Sequence, residues 1–250
     1  MDSNVHGSSS FLLYHLIYYL WFHTIPLPIV SLLAFICGIL PDFDGIYWKL
    51  KGKKYDHTFQ HHLKFWSHWP LAYFPLVILF VVALVFDFYP QYVLLPVLGV
   101  YLHFIADSAC CGDGMMWGKN PWKKGSFAPF INLFSAKTDG YHGMYWEFRW
   151  KQTKMFKIGL VMLFSSILLT AWFWIISQRF SFSYLLLCVI YFSLLVVSFK
   201  LIPEEYRKEP PNGRYADYRK DPEYLAWMEK EGYKFNENHF VVKRRKESKK

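Results

Sequence analysis

The stretch TIPLPIVSLLAFICGILPDFDG (residues 24–45) decides how the chain folds, because an uncharged apolar run ends directly in two aspartates. A helix that crosses a membrane needs roughly 17 to 25 mostly apolar residues, and the run 24–40 meets that need. The proline, aspartates and glycine after the run are residue types that favour turns. We therefore predict a first membrane span over 24–40, with a polar segment at its end.

The composition extends this prediction to the rest of the chain. Of its 250 residues, 54% are hydrophobic and 21% are aromatic, which is high for a soluble domain. Four further apolar runs reach or approach the length of a span, at 71–90, 91–106, 158–177 and 182–199. A shorter run at 11–22 contains His15 and predicts an interfacial or re-entrant helix. The predicted fold is an all-α integral membrane protein with about five transmembrane helices, an N-terminal interfacial helix and a charged C-terminal tail.

The positive charges predict two domains and an orientation. Lysine and arginine collect after the first span, in the segment 107–157 and in the C-terminal VVKRRKESKK, and such residues favour the cytoplasmic side. We predict a membrane-embedded domain over 1–202 and a cytoplasmic charged tail over 203–250, in a bacterial inner membrane. The net charge of +9 fits this topology and attraction to anionic membrane lipid. No nucleic-acid partner is expected, because no basic helix carries base-reading side chains.

The polar segment after the first span carries two clusters of metal-binding side chains. Asp42 and Asp44 stand two apart in PDFDG, and an extended or turn backbone would direct both carboxylates to one ion. The alternative is a solvated turn that ends the helix. In DHTFQHHLKFWSH (residues 56–68), a helix would put His57, His61 and His68 on one face, with His62 directed elsewhere. The alternative is a polar or pH-sensitive interfacial helix.

A third cluster lies in YLHFIADS (residues 101–108), where His103 and Asp107 are four residues apart on one helical face. Ionisable groups at membrane depth are costly and are functional by default. Alternatively, Asp107 holds the His103 ring, or the two form a structural pair. Together the three clusters predict a site for one or two divalent ions, and the mixed nitrogen and oxygen ligands suit zinc or manganese better than calcium. Such a site would activate water for hydrolysis.

The motifs PDFDG, HHLKFWSHW and HFIADSACCGDGMMWGKNPW resemble, in order and approximate position, those of the YdjM-like family of inner-membrane metal-dependent hydrolases. The resemblance covers about residues 24–125. It implies metal ligands at Asp42, Asp44, His68, His103 and Asp107. It leaves open whether His61 or His62 is a further ligand, because neither matches the family's five-residue spacing to His68. Three other residues are predicted to contact substrate: Lys64, Asp113 and Lys119.

The predicted function is therefore a membrane-bound metal-dependent hydrolase. It would act at the cytoplasmic membrane surface on a phosphoester or a lipid-linked ester, so that its partners are membrane lipid and a small-molecule or lipid substrate. The alternative is a metal-binding membrane protein without catalysis, as a transporter, a sensor or a scaffold. Four further histidines are predicted to be ordinary interfacial or surface residues: His15, His23, His142 and His239.

Overall fold

A computed structural model of the chain describes residues 3–52, 65–110, 115–118, 126–128, 143–178, 180–208, 222–230, 232–235 and 241–243. The described α-helices are α1 (Ser3–Phe22), α2 (Pro28–Ile39), α3 (Phe43–Leu50), α4 (Phe74–Val85), α5 (Pro90–Cys110), α6 (Gly143–Lys151), α7 (Lys154–Ser177), α8 (Phe182–Phe199) and α9 (Pro222–Lys230). Short antiparallel pairs join β1 (Met115–Gly118) to β2 (Ser126–Ala128) and β3 (Tyr233–Phe235) to β4 (Val241–Lys243). Helices thus dominate, as predicted, and the short strands are additional.

Three described segments are long and apolar enough to cross a membrane: Pro28–Leu50, Lys154–Ser177 and Phe182–Phe199. They agree with the predicted membrane protein, but the prediction of about five spans is wrong for the described residues. The run 71–90 does not form a membrane-spanning helix, because α4 has only 12 residues and the backbone after it takes positive φ angles at Asp87 and Tyr89. The run 91–106 lies within α5, whose polar residues and Pro96 lower its apolar character.

The chain divides into two compact units. The first, here called the helical unit, contains Met1–Phe43, Tyr73–Asp107 and Lys151–Leu201. The second unit contains Asp44–Ala72, Ser108–Trp150 and Ile202–Lys250. The predicted division between a membrane domain and a tail at residue 202 stays a prediction.

Helix α1 differs most from its prediction. It has 20 residues instead of the run 11–22, because the polar residues before Phe11 continue the helix. The side chains of Asn4, His6, Ser8 and Ser10 are buried in the helical unit. The prediction of an interfacial or re-entrant helix over 11–22 did not include this N-terminal half, although α1 packs against α2 and α7.

Small residues allow α1 to approach α2 closely. A Cβ atom on Gly7 would overlap the ring of Phe35, and one on Gly38 would overlap the backbone oxygen of His6. At the same contact, Ser10 Oγ donates a hydrogen bond of 2.6 Å to the carbonyl oxygen of Ala34. Close backbone contact and hydrogen bonds between helices are what hold helices together in lipid, where burial of apolar surface gives little.

The core of the helical unit forms where α1, α2, α7 and α8 meet. Its buried members come from all four helices: Phe11, Leu32, Phe35, Leu163, Phe173, Tyr184, Leu187 and Tyr191. Polar contacts accompany this packing, since Asn4 Nδ2 donates to Ser198 Oγ at 2.7 Å. The hydroxyl groups of Thr170 and Tyr191 lie 3.3 Å apart. The four helices are therefore joined by packing and by buried hydrogen bonds.

His15 belongs to this core, and its prediction as an interfacial or surface residue is wrong. Its Nδ1 donates to the carbonyl oxygen of Phe11 at 2.6 Å, and its Nε2 accepts from Ser31 Oγ at 2.8 Å. Its ring stacks on Phe173. Burial lowers the pKa of His15 to about 4, so the ring is neutral at pH 7. By contrast, His23 is exposed as predicted, and His142 and His239 lie outside the described residues.

Replacing Gly7 by leucine is expected to separate α1 from α2. The Phe35 ring is fully buried and cannot give way, and forcing extra atoms into a packed core costs about 1–3 kcal/mol. Thermal unfolding of the detergent-solubilised protein should show a lower Tm. The control Ala171→Leu adds similar bulk at an exposed position of α7 and should leave the Tm unchanged. Equal Tm values for the two variants would contradict the close approach.

The pH dependence of stability should depend in part on His15. Its pKa is lowered from 6.5 to about 4 in the folded protein, so the unfolded chain binds the proton more readily. The stabilisation is therefore present above pH 6.5 and is lost as the pH falls toward 4. His15→Gln should reduce the slope of Tm against pH in this window, whereas His23→Gln should keep it. A slope unchanged in His15→Gln would show that His15 does not titrate in this way.

Candidate metal centre

Four ionisable side chains meet at one place in the helical unit. His6 comes from α1, Asp42 from the 3-10 turn Leu40–Asp42 that follows α2, and His103 and Asp107 from α5. The two histidines and Asp107 are at most 1% exposed, whereas the Asp42 side chain is 22% exposed. The cluster is thus nearly closed, with Asp42 as its accessible member.

Asp107 lies between the two histidines. Its Oδ1 is 3.2 Å from His6 Nε2, and its Oδ2 is 3.1 Å from His103 Nε2. The second contact confirms that His103 and Asp107, four residues apart, lie on one face of α5. Asp42 Oδ1 approaches the same His103 nitrogen at 3.7 Å. One imidazole nitrogen therefore faces two carboxylates.

The backbone of α2 fixes the orientation of His103. Its Nδ1 lies 2.9 Å from the carbonyl oxygen of Gly38, which can only accept, so Nδ1 carries the hydrogen and donates it. In a neutral ring Nε2 then has a lone pair directed at the carboxylates of Asp42 and Asp107. Acceptors that face each other at this distance repel unless a proton or a cation lies between them. A carbonyl on the far nitrogen is also the usual partner of a metal-binding histidine.

His6 completes the cluster. Its ring stacks on His103, with 3.7 Å between the ring centroids and 16° between the planes. Burial, and then the neighbouring His103, lower the pKa of His6 to about 4 although Asp107 opposes the change. His6 is therefore neutral at pH 7. Its Nδ1 makes no hydrogen bond with any residue that the structure describes.

These side chains fit a metal ion. His6, Asp42 and His103 offer one ligand atom each, and the three atoms lie within 4.8 Å of one another. Imidazole nitrogen and carboxylate oxygen are both common zinc ligands, and these three atoms are close enough together to bind one cation. The donor set is therefore chemically suited to a divalent transition metal.

The backbone of PDFDG is helical and not extended or a simple turn as predicted. Asp42 ends the 3-10 turn, and Asp44 lies in the first turn of α3. The helix continues because proline at the second position of a turn tolerates helical geometry and lacks only an N–H that would be unpaired there. Shared binding of one ion by Asp42 and Asp44 stays a prediction.

A second pair of predicted residues meets in the second unit. Asp44 Oδ2 accepts hydrogen bonds from Ser67 Oγ and His68 Nδ1, both at 2.9 Å. His68 is fully buried, and its neighbours Phe65 and Trp69 are extended, so no continuous helix passes through it. The helix predicted over 56–68 is therefore interrupted at Phe65, and the part with His57 and His61 lies outside the described residues. The carboxylate orients the imidazole and leaves Nε2 as the acceptor.

His6 is the member of this cluster that the sequence patterns did not predict. Its position before the apolar run, among the small residues GSSS (7–10), suggested a polar N-terminus and not a buried helix. The available signal was that run of small residues, which is typical of close helix contacts in membranes. Five predicted residues lie outside the described part of the chain: His61, His62, Lys64, Asp113 and Lys119.

The contact between His6 and Asp107 can be measured by a double-mutant cycle. Removing both partners in contact should give a coupling energy of about 0.5–3 kcal/mol, because neighbouring groups are not additive. The cycle compares His6→Gln, Asp107→Asn and the double variant by chemical unfolding in detergent with chelator present. The control cycle pairs His6→Gln with Asp87→Asn, which is exposed at another position, and should be additive. Additivity in both cycles would disprove the contact.

Comparison of the chain with protein-family models, with curated proteins and with solved structures finds no match in any of the three. The resemblance to the YdjM-like hydrolases therefore stays a prediction. The same holds for the ligand roles that it implies for Asp44 and His68.

Proposed function

We propose that the protein is a membrane-bound, metal-dependent hydrolase whose divalent ion is held by His6, Asp42 and His103. The observation that carries the proposal is the orientation of His103. Its Nδ1 donates to the Gly38 carbonyl, which directs Nε2 toward Asp42 and Asp107 at 3.7 and 3.1 Å. A cation between these acceptors turns their repulsion into binding.

Each residue has a part in this proposal. His6 and His103 supply imidazole nitrogens, and Asp42 supplies a carboxylate that is reachable from outside. Asp107 contacts both Nε2 atoms and keeps the two rings directed at one place. Zinc or manganese suits these ligands. When bound, the ion would polarise an ester oxygen and lower the pKa of a water molecule toward about 7.

The substrate class follows from the surroundings of the cluster. The helical unit contains helices long and apolar enough to cross a membrane, so its substrate would be reached at the bilayer surface. We propose a phosphoester or a lipid-linked ester at the cytoplasmic surface, in an inner membrane, because the lysine-rich segments favour that side. Asp42, as the exposed member, marks where the substrate approaches.

A metal-binding protein without catalysis is the second candidate. It is favoured by the burial of His6, His103 and Asp107, because structural metal sites are closed whereas catalytic sites keep a position open. A scaffold stabilised by its metal, a sensor or a transporter would share the same ligands. Hydrolytic activity separates this candidate from the first.

Metal content of the purified protein tests the site itself. The wild type in detergent should retain zinc or manganese in proportion to the chain, measured by elemental analysis. His6→Ala and His103→Ala should each lose most of it, since each removes a nitrogen ligand. His23→Ala removes an exposed histidine and should keep it. Equally low metal in all four folded proteins would refute the site.

Hydrolysis of test esters separates the two candidates. The metal-loaded protein should release product from a chromogenic phosphoester or from a lipid phosphoester in mixed micelles, and His6→Ala should abolish this release. Metal retained with no hydrolysis of either ester class would leave the non-catalytic protein. Activity that persists in His6→Ala and His103→Ala would contradict the assigned ligands.

A further inference from the structure

Lysines cluster where α7 begins and α8 ends. Lys154 and Lys157 lie in the first turns of α7 with exposed side chains, and exposed Lys200 directly follows α8. Lys151 ties the two helix ends together, because its Nζ donates to the carbonyl oxygens of Val197 at 3.3 Å and Lys200 at 2.7 Å. These four lysines form one surface of the helical unit, here called the lysine surface.

Helix contacts place the lysine surface at the end of the unit that holds the metal centre. Asn4 of α1 is bonded to Ser198, close to the end of α8. A Cβ atom on Gly159, near the start of α7, would come within 2.7 Å of a methyl group of Val5. Val5 directly precedes His6. The beginning of α7 and the end of α8 therefore lie beside the residues around His6.

Three lysines of this surface, Lys154, Lys157 and Lys200, form no ion pair with any described residue. The nearby carboxylates of Asp42 and Asp107 contact the histidines of the metal centre. An exposed cluster of like charges of this kind attracts an anionic partner.

The position along α7 identifies that partner. Ile158 and Val161, which follow Lys157, are exposed and apolar, so a boundary between charged and apolar surface passes close to Lys157. Helix α7 has 24 residues, or about 36 Å at about 1.5 Å per residue, which exceeds the roughly 30 Å thickness of the hydrocarbon core. Its lysine end therefore reaches the headgroups of one leaflet.

The opposite end of the helical unit has a different surface. Among its described residues the charged one there is Asp87, and exposed Trp21 and Tyr89 supply the aromatic side chains that favour a membrane interface. Arg179, between α7 and α8 in the sequence, lies outside the described residues. Among the described residues of the helical unit, lysines therefore lie at the end with the metal centre and not at the opposite end.

We propose that the lysine surface lies in the headgroup layer of an anionic leaflet and binds the phosphate groups of anionic lipids. The contact orients the helical unit, with the metal centre at that leaflet and Trp21 and Tyr89 at the other. Each lysine near an anionic surface raises the affinity roughly fivefold. This contact depends on no metal ion and no hydrolytic activity.

Lipid selection in nanodiscs tests the proposal. The full chain is placed in nanodiscs of equal parts phosphatidylcholine and phosphatidylglycerol, and the lipids that stay bound after release are counted by native mass spectrometry. The wild type should be enriched in phosphatidylglycerol. The double variant Lys154→Gln, Lys157→Gln should lose this enrichment, because its affinity for the anionic lipid should fall roughly fivefold for each lysine removed.

Two further variants make the result specific. Lys154→Arg with Lys157→Arg keeps the charges and should restore the enrichment. Lys230→Gln with Lys234→Gln removes the same charge from exposed positions of the second unit and should leave it unchanged. Enrichment that survives in the Lys154→Gln, Lys157→Gln protein, or that is absent from the wild type, would overturn the proposal.

Discussion

Gly38 is the residue on which the arrangement of three helices depends. Because it has no side chain, α1 comes so close that the backbone oxygen of His6 occupies the place of a Cβ atom. Its own carbonyl oxygen accepts the hydrogen of His103 Nδ1 from α5. One position therefore sets both the distance of α1 and the orientation of a ring on α5. The stacking of His6 on His103 is a consequence of these two contacts.

The charge balance of the cluster explains why a cation suits it. Asp42 and Asp107 carry two negative charges when ionised, and the neutral His6 beside them supplies none to oppose them. Uncompensated charge away from water is costly, so such groups are paired or bind metals. A divalent ion would neutralise both carboxylates at once. An imidazolium at His103 would neutralise only one of them.

The sequence correctly predicted those features that depend only on residues close together in the chain. The pair His103 and Asp107 follows from four-residue separation on a helix, and α7 and α8 follow from uninterrupted apolar runs. The N-terminal half of α1 did not follow, because Asn4 and His6 are buried only through partners far along the chain. A hydropathy value depends only on the residue type. It is therefore the same for a polar residue that is hydrogen-bonded to a distant helix as for one that is exposed to water.

The predicted bounds of the membrane spans were wrong for a related reason. Residues 71–90 are apolar enough for a long helix, but the chain turns at Asp87 and Tyr89, where positive φ angles end α4 early. The described helix bounds thus come from backbone geometry that composition does not encode. In PDFDG, likewise, turn-forming residues continue as a 3-10 turn and a helix because proline is compatible with both.

The bond between Asn4 and Ser198 also has a consequence for synthesis. The two residues are 194 positions apart, so α1 leaves the ribosome long before α8 exists. The membrane insertion machinery admits segments according to their apolar character, and the early polar half of α1 offers little of it. Its bond to Ser198 can therefore form only after α8 has been made. The centre around His6, two residues after Asn4, thus takes its final arrangement after α8 has joined α1.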